Sequence, residues 1–171
     1  MLGISLPQFL SACREAADSR LAGQSFKTLS VDEAVEVDAI AACIVPTTDT
    51  PGAREAGSIY FIDTVLSGSR PDLLEPIRFG LADLRSRAAS ASKPAGKFSD
   101  LDEETQIAVL TQVEDTDFFY RIRLLTLAGM LADPSYGGNR DRIGWDLIGF
   151  DGHFGTQPPF GWYDEQSSRT Q

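Results

Sequence analysis

The sequence predicts an all-α protein: a small bundle of five or six helices followed by an extended aromatic, Pro/Gly-rich C-terminal arm. Three observations carry this. Apolar residues between 29 and 132 recur at three- and four-residue spacing, the period of one helix face. Ser, Thr and Asp stand where helix starts need a side-chain oxygen to accept from orphan amides. No stretch alternates with period two, and there is no internal repeat.

The elements follow in order. Residues 14–28 are small, polar and aperiodic and read as a linker. Ser30 with Glu33 forms a capping box ahead of Ala34, Val37, Ala41, Ile44 and Val45, and Pro46 ends that helix by disfavouring the α conformation at Val45. Thr50 before Pro51 predicts a second start, with Ile59, Ile62, Val65 and Leu66 as its buried stripe. A third helix begins near Pro71 and carries Leu73, Leu74, Ile77, Leu81 and Leu84, interrupted by Pro76 and Gly80. The small residues from Ala88 to Gly96 predict a loop. Asp100 with Glu103 suggests another capping box before Ile107, Leu110 and Val113. Thr116 and Asp117 open the strongest helix, with Phe119, Ile122, Leu125, Ala128 and Leu131 on one face. Beyond Asp133, glycine, proline and aromatics replace the Leu/Ala periodicity, leaving one short helix at about Asp141 to Leu147. The predicted divisions are thus 1–13, 14–28, 29–132 and 133–171.

The chain has 171 residues, 42% hydrophobic and 23% charged, the composition of a globular domain able to bury its own core. With 15 basic against 25 acidic residues its formal charge is −10, so a phosphate backbone is repelled and nucleic acid is not an expected partner. No run reaches the roughly 20 apolar residues of a membrane span. Leu10-Ser11-Ala12-Cys13, after the apolar opening from Leu2, looks like a lipobox with cleavage before Cys13, although the first basic residue, Arg14, follows the apolar stretch. Residues 1–13 therefore read as the remainder of an export signal whose basic start lies upstream; an amphipathic helix docked on a partner is the alternative. Cys13 and Cys43 leave three states open: lipidation of Cys13, a disulfide between the two, or a buried Cys43 thiol on an apolar helix face.

The chemical signals are weak. Two cysteines and a single histidine, His153, lack the repeated spacing of a zinc site. Asp133-Pro134-Ser135-Tyr136-Gly137-Gly138-Asn139-Arg140 holds two glycines but lacks the preceding strand and the Lys-Ser/Thr of a phosphate cradle, so it reads as a tight turn. Asp32, Glu33, Glu36 and Asp38, and likewise Asp100, Asp102, Glu103 and Glu104, read as solvated carboxylates at helix starts, where the dipole favours their ionised form. There is no Gly-x-Ser-x-Gly elbow, and His153 reads as an interface or surface residue. No catalytic, cofactor-binding or metal-binding residue is assigned. The aromatics Phe150, Phe154, Phe160, Trp162 and Tyr163 crowd into a short tail and suggest a contact surface.

Two stretches carry a resemblance. Thr48-Asp49-Thr50-Pro51-Gly52-Ala53-Arg54-Glu55-Ala56-Gly57 with Phe61-Ile62-Asp63, and Asp133 to Asp141 with Gly144-Trp145-Asp146-Leu147-Ile148-Gly149-Phe150, resemble the gluconate 2-dehydrogenase subunit 3 family. The ending Gln157-Pro158-Pro159-Phe160-Gly161-Trp162-Tyr163-Asp164 is similar to the tails of small subunits of sugar and glycoside dehydrogenases. The resemblance implies a non-catalytic subunit that supports folding, stability and twin-arginine export of a large flavoprotein of the glucose-methanol-choline oxidoreductase type. On that reading FAD belongs to the partner, a cytochrome c accepts the electrons in some complexes, and the likeness of the tail favours oxidation at C3 of a glycoside, with glucose C1 and gluconate C2 oxidation as alternatives. The location implied is periplasmic, either free or associated with the membrane through the partner complex, and cytoplasmic for an unprocessed chain. This sequence departs from the pattern by lacking the twin arginines. The implied partner interface comprises Tyr136, Gly137, Gly138, Asn139, Arg140, Trp145, Phe150, Phe160, Trp162 and Tyr163. The competing reading is a free-standing sugar-binding lipoprotein or enzyme that stacks the tail aromatics on sugar rings.

Overall fold

The computed structural model describes residues 21, 23, 25–92 and 96–152. The expectations for Cys13, His153, Phe154, Phe160, Trp162 and Tyr163 lie outside the described residues. Among the described residues the chain forms six α-helices and no strand: α1 (Val31–Ile44), α2 (Ser58–Ser67), α3 (Leu74–Ala91), α4 (Glu103–Thr111), α5 (Asp117–Leu131) and α6 (Ile143–Ile148). The all-α expectation is met.

Helix α2 packs along α5 as the central pair, α1 lies against both, and α3 bridges α5 and α4. Val37, Ile40, Ile59, Ile62, Ile77, Leu84, Phe98 and Ile122 are fully buried between them. The first cap is as expected: Ser30 Oγ accepts from Glu33 N at 3.2 Å and Glu33 returns the bond to Ser30 N at 2.8 Å. Thr116 likewise caps α5 through Phe119 N. Pro71 opens a single 3-10 turn before α3, and Pro76 falls in the first turn of α3, where a missing amide costs little.

Several expectations are corrected. The second helix starts at Ser58 rather than at Thr50-Pro51. Residues 51–57 are spent on turns tied to α1, with Ala53 N donating to Val45 O at 2.9 Å, and Gly57 takes a φ of 67° that reverses the chain into α2. Ala88 to Ala91 continue α3 rather than forming the expected loop, and Ala88 is buried. Asp102, not Asp100, caps α4; Asp100 instead accepts from Lys97 N at the preceding 3-10 turn. In α4 Ile107 is exposed and Gln106 is buried, because Gln106 Nε2 must reach Phe98 O at 3.0 Å. The inner face of α5 is Phe118, Ile122, Leu125, Thr126 and Gly129, and the expected Leu131 lies outside.

Candidate interaction site

The segment from Leu131 to Gly152 is folded by a chain of specific closures rather than by helical periodicity. Asp133 accepts from Ser135 N at 2.9 Å and opens a 3-10 turn, Pro134–Tyr136, that Gly137 closes. Bonds from Ser135 hold the Asp133 carboxyl below the usual carboxylate range. Gly138 and Gly144 then run directly against the end of α5: a Cβ on either would collide with the carbonyl oxygen of Gly129 or Met130. Only glycine allows this approach.

Asn139 sits between those contacts, fully buried and at a φ of 45°. Its backbone N donates to Gly129 O at 2.7 Å, its Nδ2 donates to Ala132 O at 2.9 Å, and its Oδ1 accepts from Gly144 N at 2.8 Å. One side chain thus ties the end of α5 to the start of α6. Asp141 and Arg142 also take left-handed conformations, with φ of 55° and 61°, so three non-glycine residues within four positions carry backbone strain. Trp145 is the counterweight: it is buried, donates Nε1 to Leu131 O at 2.7 Å, meets Phe150 edge-on at 5.1 Å, and carries the Arg142 guanidinium 5.9 Å from its ring centroid.

The two sequence stretches singled out above meet here. Arg140 N donates to Ala56 O at 2.9 Å, and its guanidinium lies 5.2 Å from the centroid of the Tyr60 ring, which stacks on Phe26. On the far side of the first stretch, Glu55 accepts from Gly52 N and Thr47 Oγ1 at 2.8 and 2.7 Å, and Arg54 Nε lies 3.1 Å from the buried Asp38 carboxylate. Segments some eighty positions apart form a single joint at the α2–α5 seam.

The ten residues expected at an interface divide accordingly. Gly138, Asn139 and Trp145 are buried within this chain and build the joint. Tyr136, Gly137 and Arg140 are exposed on it and Phe150 is half-buried. Phe160, Trp162 and Tyr163 lie outside the described residues. Cys43 is half-buried, 3.5 Å from Gln106 Oε1, at the wall of a cleft of about 220 Å³ between α1, α4 and α5.

Sequence reasoning missed the buried carboxylates. Glu36 and Asp38 are not solvated: both are buried. Glu36 accepts from Phe98 N, Ser99 N and Ser99 Oγ at 3.1, 3.2 and 2.6 Å, pinning the turn before α4. Asp63 does the same for the entry to α1, accepting from the amides of Lys27, Thr28 and Leu29 at 2.7, 3.0 and 3.0 Å. The available signal was position: Glu36 lies beyond the first turn of α1, where the helix dipole no longer explains a carboxylate. Glu36 and Asp63 each accept several donors from elsewhere in the chain, which suits a fastener rather than an acid or base. Among the described residues no group of three His, Cys, Asp or Glu side chains is placed to hold a metal ion.

Fold and site together define a small all-α scaffold whose specific residues are spent on an internal joint. The family model described as gluconate 2-dehydrogenase subunit 3 matches residues 31–152, and the chain belongs to that family. No curated protein and no solved structure matches the chain.

Proposed function

We propose that this chain is the non-catalytic small subunit of an FAD-dependent sugar or glycoside dehydrogenase, supporting the folding, stability and export of a large flavoprotein subunit in the bacterial periplasm. The family is that of a subunit of a dehydrogenase complex. The observation that supports an accessory role is where the distinctive residues are spent. The glycines, Asn139 and Trp145 of the family stretches are consumed in fixing the chain's own geometry, and the buried Glu36 and Asp63 carboxylates accept from backbone amides of the chain itself. Exposed Tyr136 and Arg140 stand on that joint. A rigid platform of this kind loses little entropy on binding. FAD and the catalytic groups belong to the partner on this reading. A glycoside oxidised at C3 remains the favoured substrate chemistry, from the likeness of the tail.

The test is co-expression of the full chain with the flavoprotein encoded beside it, followed by size-exclusion chromatography with flavin absorbance read across the peak. Co-elution of both chains with bound FAD and sugar-dependent dye reduction is expected. A flavoprotein that is soluble, FAD-loaded and active without this chain refutes the reading.

A further inference from the structure

An aspartate followed by glycine carries its own reaction: the glycine nitrogen attacks the aspartate Cγ, water leaves, and a five-membered succinimide ring forms. Glycine is the favourable neighbour because it has no side chain to shield its nitrogen and turns freely into the attacking geometry. An amide that already donates to a carbonyl is withdrawn from this attack until local opening releases it. The fold therefore decides which Asp and Asn residues react.

The sequence holds a single Asp-Gly pair, Asp151-Gly152, and no Asn-Gly pair. Elsewhere the chain protects itself. Asp63, Asp83 and Asp146 lie within helices, and Asp133 precedes Pro134, which has no N–H. At the strained joint the attacking amides are occupied: Arg140 N, after Asn139, donates to Ala56 O at 2.9 Å, and Arg142 N, after Asp141, donates to Asn139 O at 2.9 Å. Asp151 differs from all of these. It is exposed and lies beyond the last described helix, and Gly152 N makes no hydrogen bond among the described residues. Gly152 has a φ of 85°, and a Cβ there would stand 3.1 Å from Trp145 Cζ3, so the position suits glycine.

We propose that Asp151-Gly152 is a site of spontaneous modification, where the folded chain passes through a succinimide and emerges with isoaspartate at position 151. The reaction needs only water. The Gly152 nitrogen gives up its proton and the Asp151 carboxyl its hydroxyl as water departs, and a water then adds at either ring carbonyl. Addition at Cγ breaks the new N–C bond and restores aspartate. Addition at the backbone carbonyl carbon breaks the original peptide bond, so the main chain runs through Cβ and Cγ and gains one methylene with no net change in mass. That methylene enters between Phe150, whose ring meets Trp145, and Gly152, which packs on the same indole. The product is a substrate for a methyltransferase that recognises isoaspartyl carboxylates. The site belongs to the chain alone and does not depend on the subunit reading above.

The experiment ages the full chain in heavy-oxygen water at neutral pH, folded in one sample and unfolded in urea in another. Peptide mapping with electron-transfer fragmentation locates isoaspartate and heavy oxygen, and methyl transfer by a purified isoaspartyl methyltransferase counts the product independently. In the folded chain, isoaspartate carrying one heavy oxygen is expected at residue 151, formed within about threefold of its rate in urea, whereas reaction at Asn139 is slowed at least about tenfold by folding. Asp151→Glu, whose carboxyl would have to close a six-membered ring, is expected to abolish the signal at this position. Asp151→Asn is expected to raise it severalfold, with ammonia leaving in place of water. A residue 151 that reacts at least about tenfold more slowly folded than in urea is shielded by the fold, which overturns the proposal. Methyl transfer to the folded chain that is undiminished by Asp151→Glu overturns it as well.

Discussion

Asn139 combines a left-handed backbone with a buried side chain that bridges Ala132 O and Gly144 N. Asn139→Ala keeps the strain and strands a buried carbonyl and amide, which should cost about 2–4 kcal/mol of folding stability. Asn139→Gly loses the same bonds but relaxes the backbone, so it should recover about 1 kcal/mol of that loss. Urea unfolding of the two variants measures the difference, and equal stabilities would show that φ carries no cost. The expectation of a tight turn at Tyr136 to Arg140 was legible from residue types alone. Which atoms Asn139 would join was not, since its partners, Ala132, Gly129 and Gly144, are selected by the way the strand of chain folds back on α5. Glu36 and Asp38 teach the converse. Their composition resembles any acidic helix start, and only the arrival of Ser99 and Arg54 from elsewhere in the chain converts them into buried fasteners.

At the scale of elements, Gly80 explains how α3 and α5 come together. A glycine inside a helix weakens it by roughly 1 kcal/mol relative to alanine, so local propensity alone argues for replacement. Yet the ring of Phe118 from α5 occupies the space that a Cβ at Gly80 would need. Gly80→Ala should therefore destabilise the bundle by about 1–3 kcal/mol despite the better helix former. Adding Phe118→Leu should recover part of the loss, and a double-mutant cycle by chemical denaturation reads that coupling. The same scale shows why α5 was only half legible. Helical period marked it as the strongest helix, but with apolar residues on both faces the period could not say which face is inner, and the expected stripe ran from the inner Ile122 and Leu125 out to the exposed Leu131.

For the whole molecule, surface charge fastens helices that share little core. Arg78 on α3 bonds Glu33 on α1 at 2.7 Å, and Lys97 bonds Asp32 at 2.7 Å. Burial pushes the Glu33 carboxyl up, but hydrogen bonds from Arg78 and Ser30, with the Arg78 charge, outweigh it and leave its pKa below the ordinary 4.5. A depressed carboxyl stabilises the fold above its unfolded pKa, and that contribution is lost as pH falls through the lower folded value. The Lys97 bond likewise holds Asp32 below its ordinary 3.8, with the same sign. The melting temperature should thus be level from neutrality down to about pH 4.5 and fall below it. Glu33→Gln should lower the plateau and flatten the acid limb; an acid limb of undiminished steepness would remove Glu33 from the account.

The sequence by itself determined the all-α class, the caps at Ser30 and Thr116, the apolar stripes of α2 and α3, and the family, because each is written within a turn or two of chain or in a contiguous stretch. Tertiary structure alone decided where α2 begins, which side of α5 is inner, and that Glu36, Asp38 and Asp63 are buried. The buried carboxylates depend on partners 16 to 63 residues away, such as Asp38–Arg54 and Glu36–Ser99. Burial of a polar group is set by whether a donor arrives to meet it, and a donor's arrival is a property of the assembled fold.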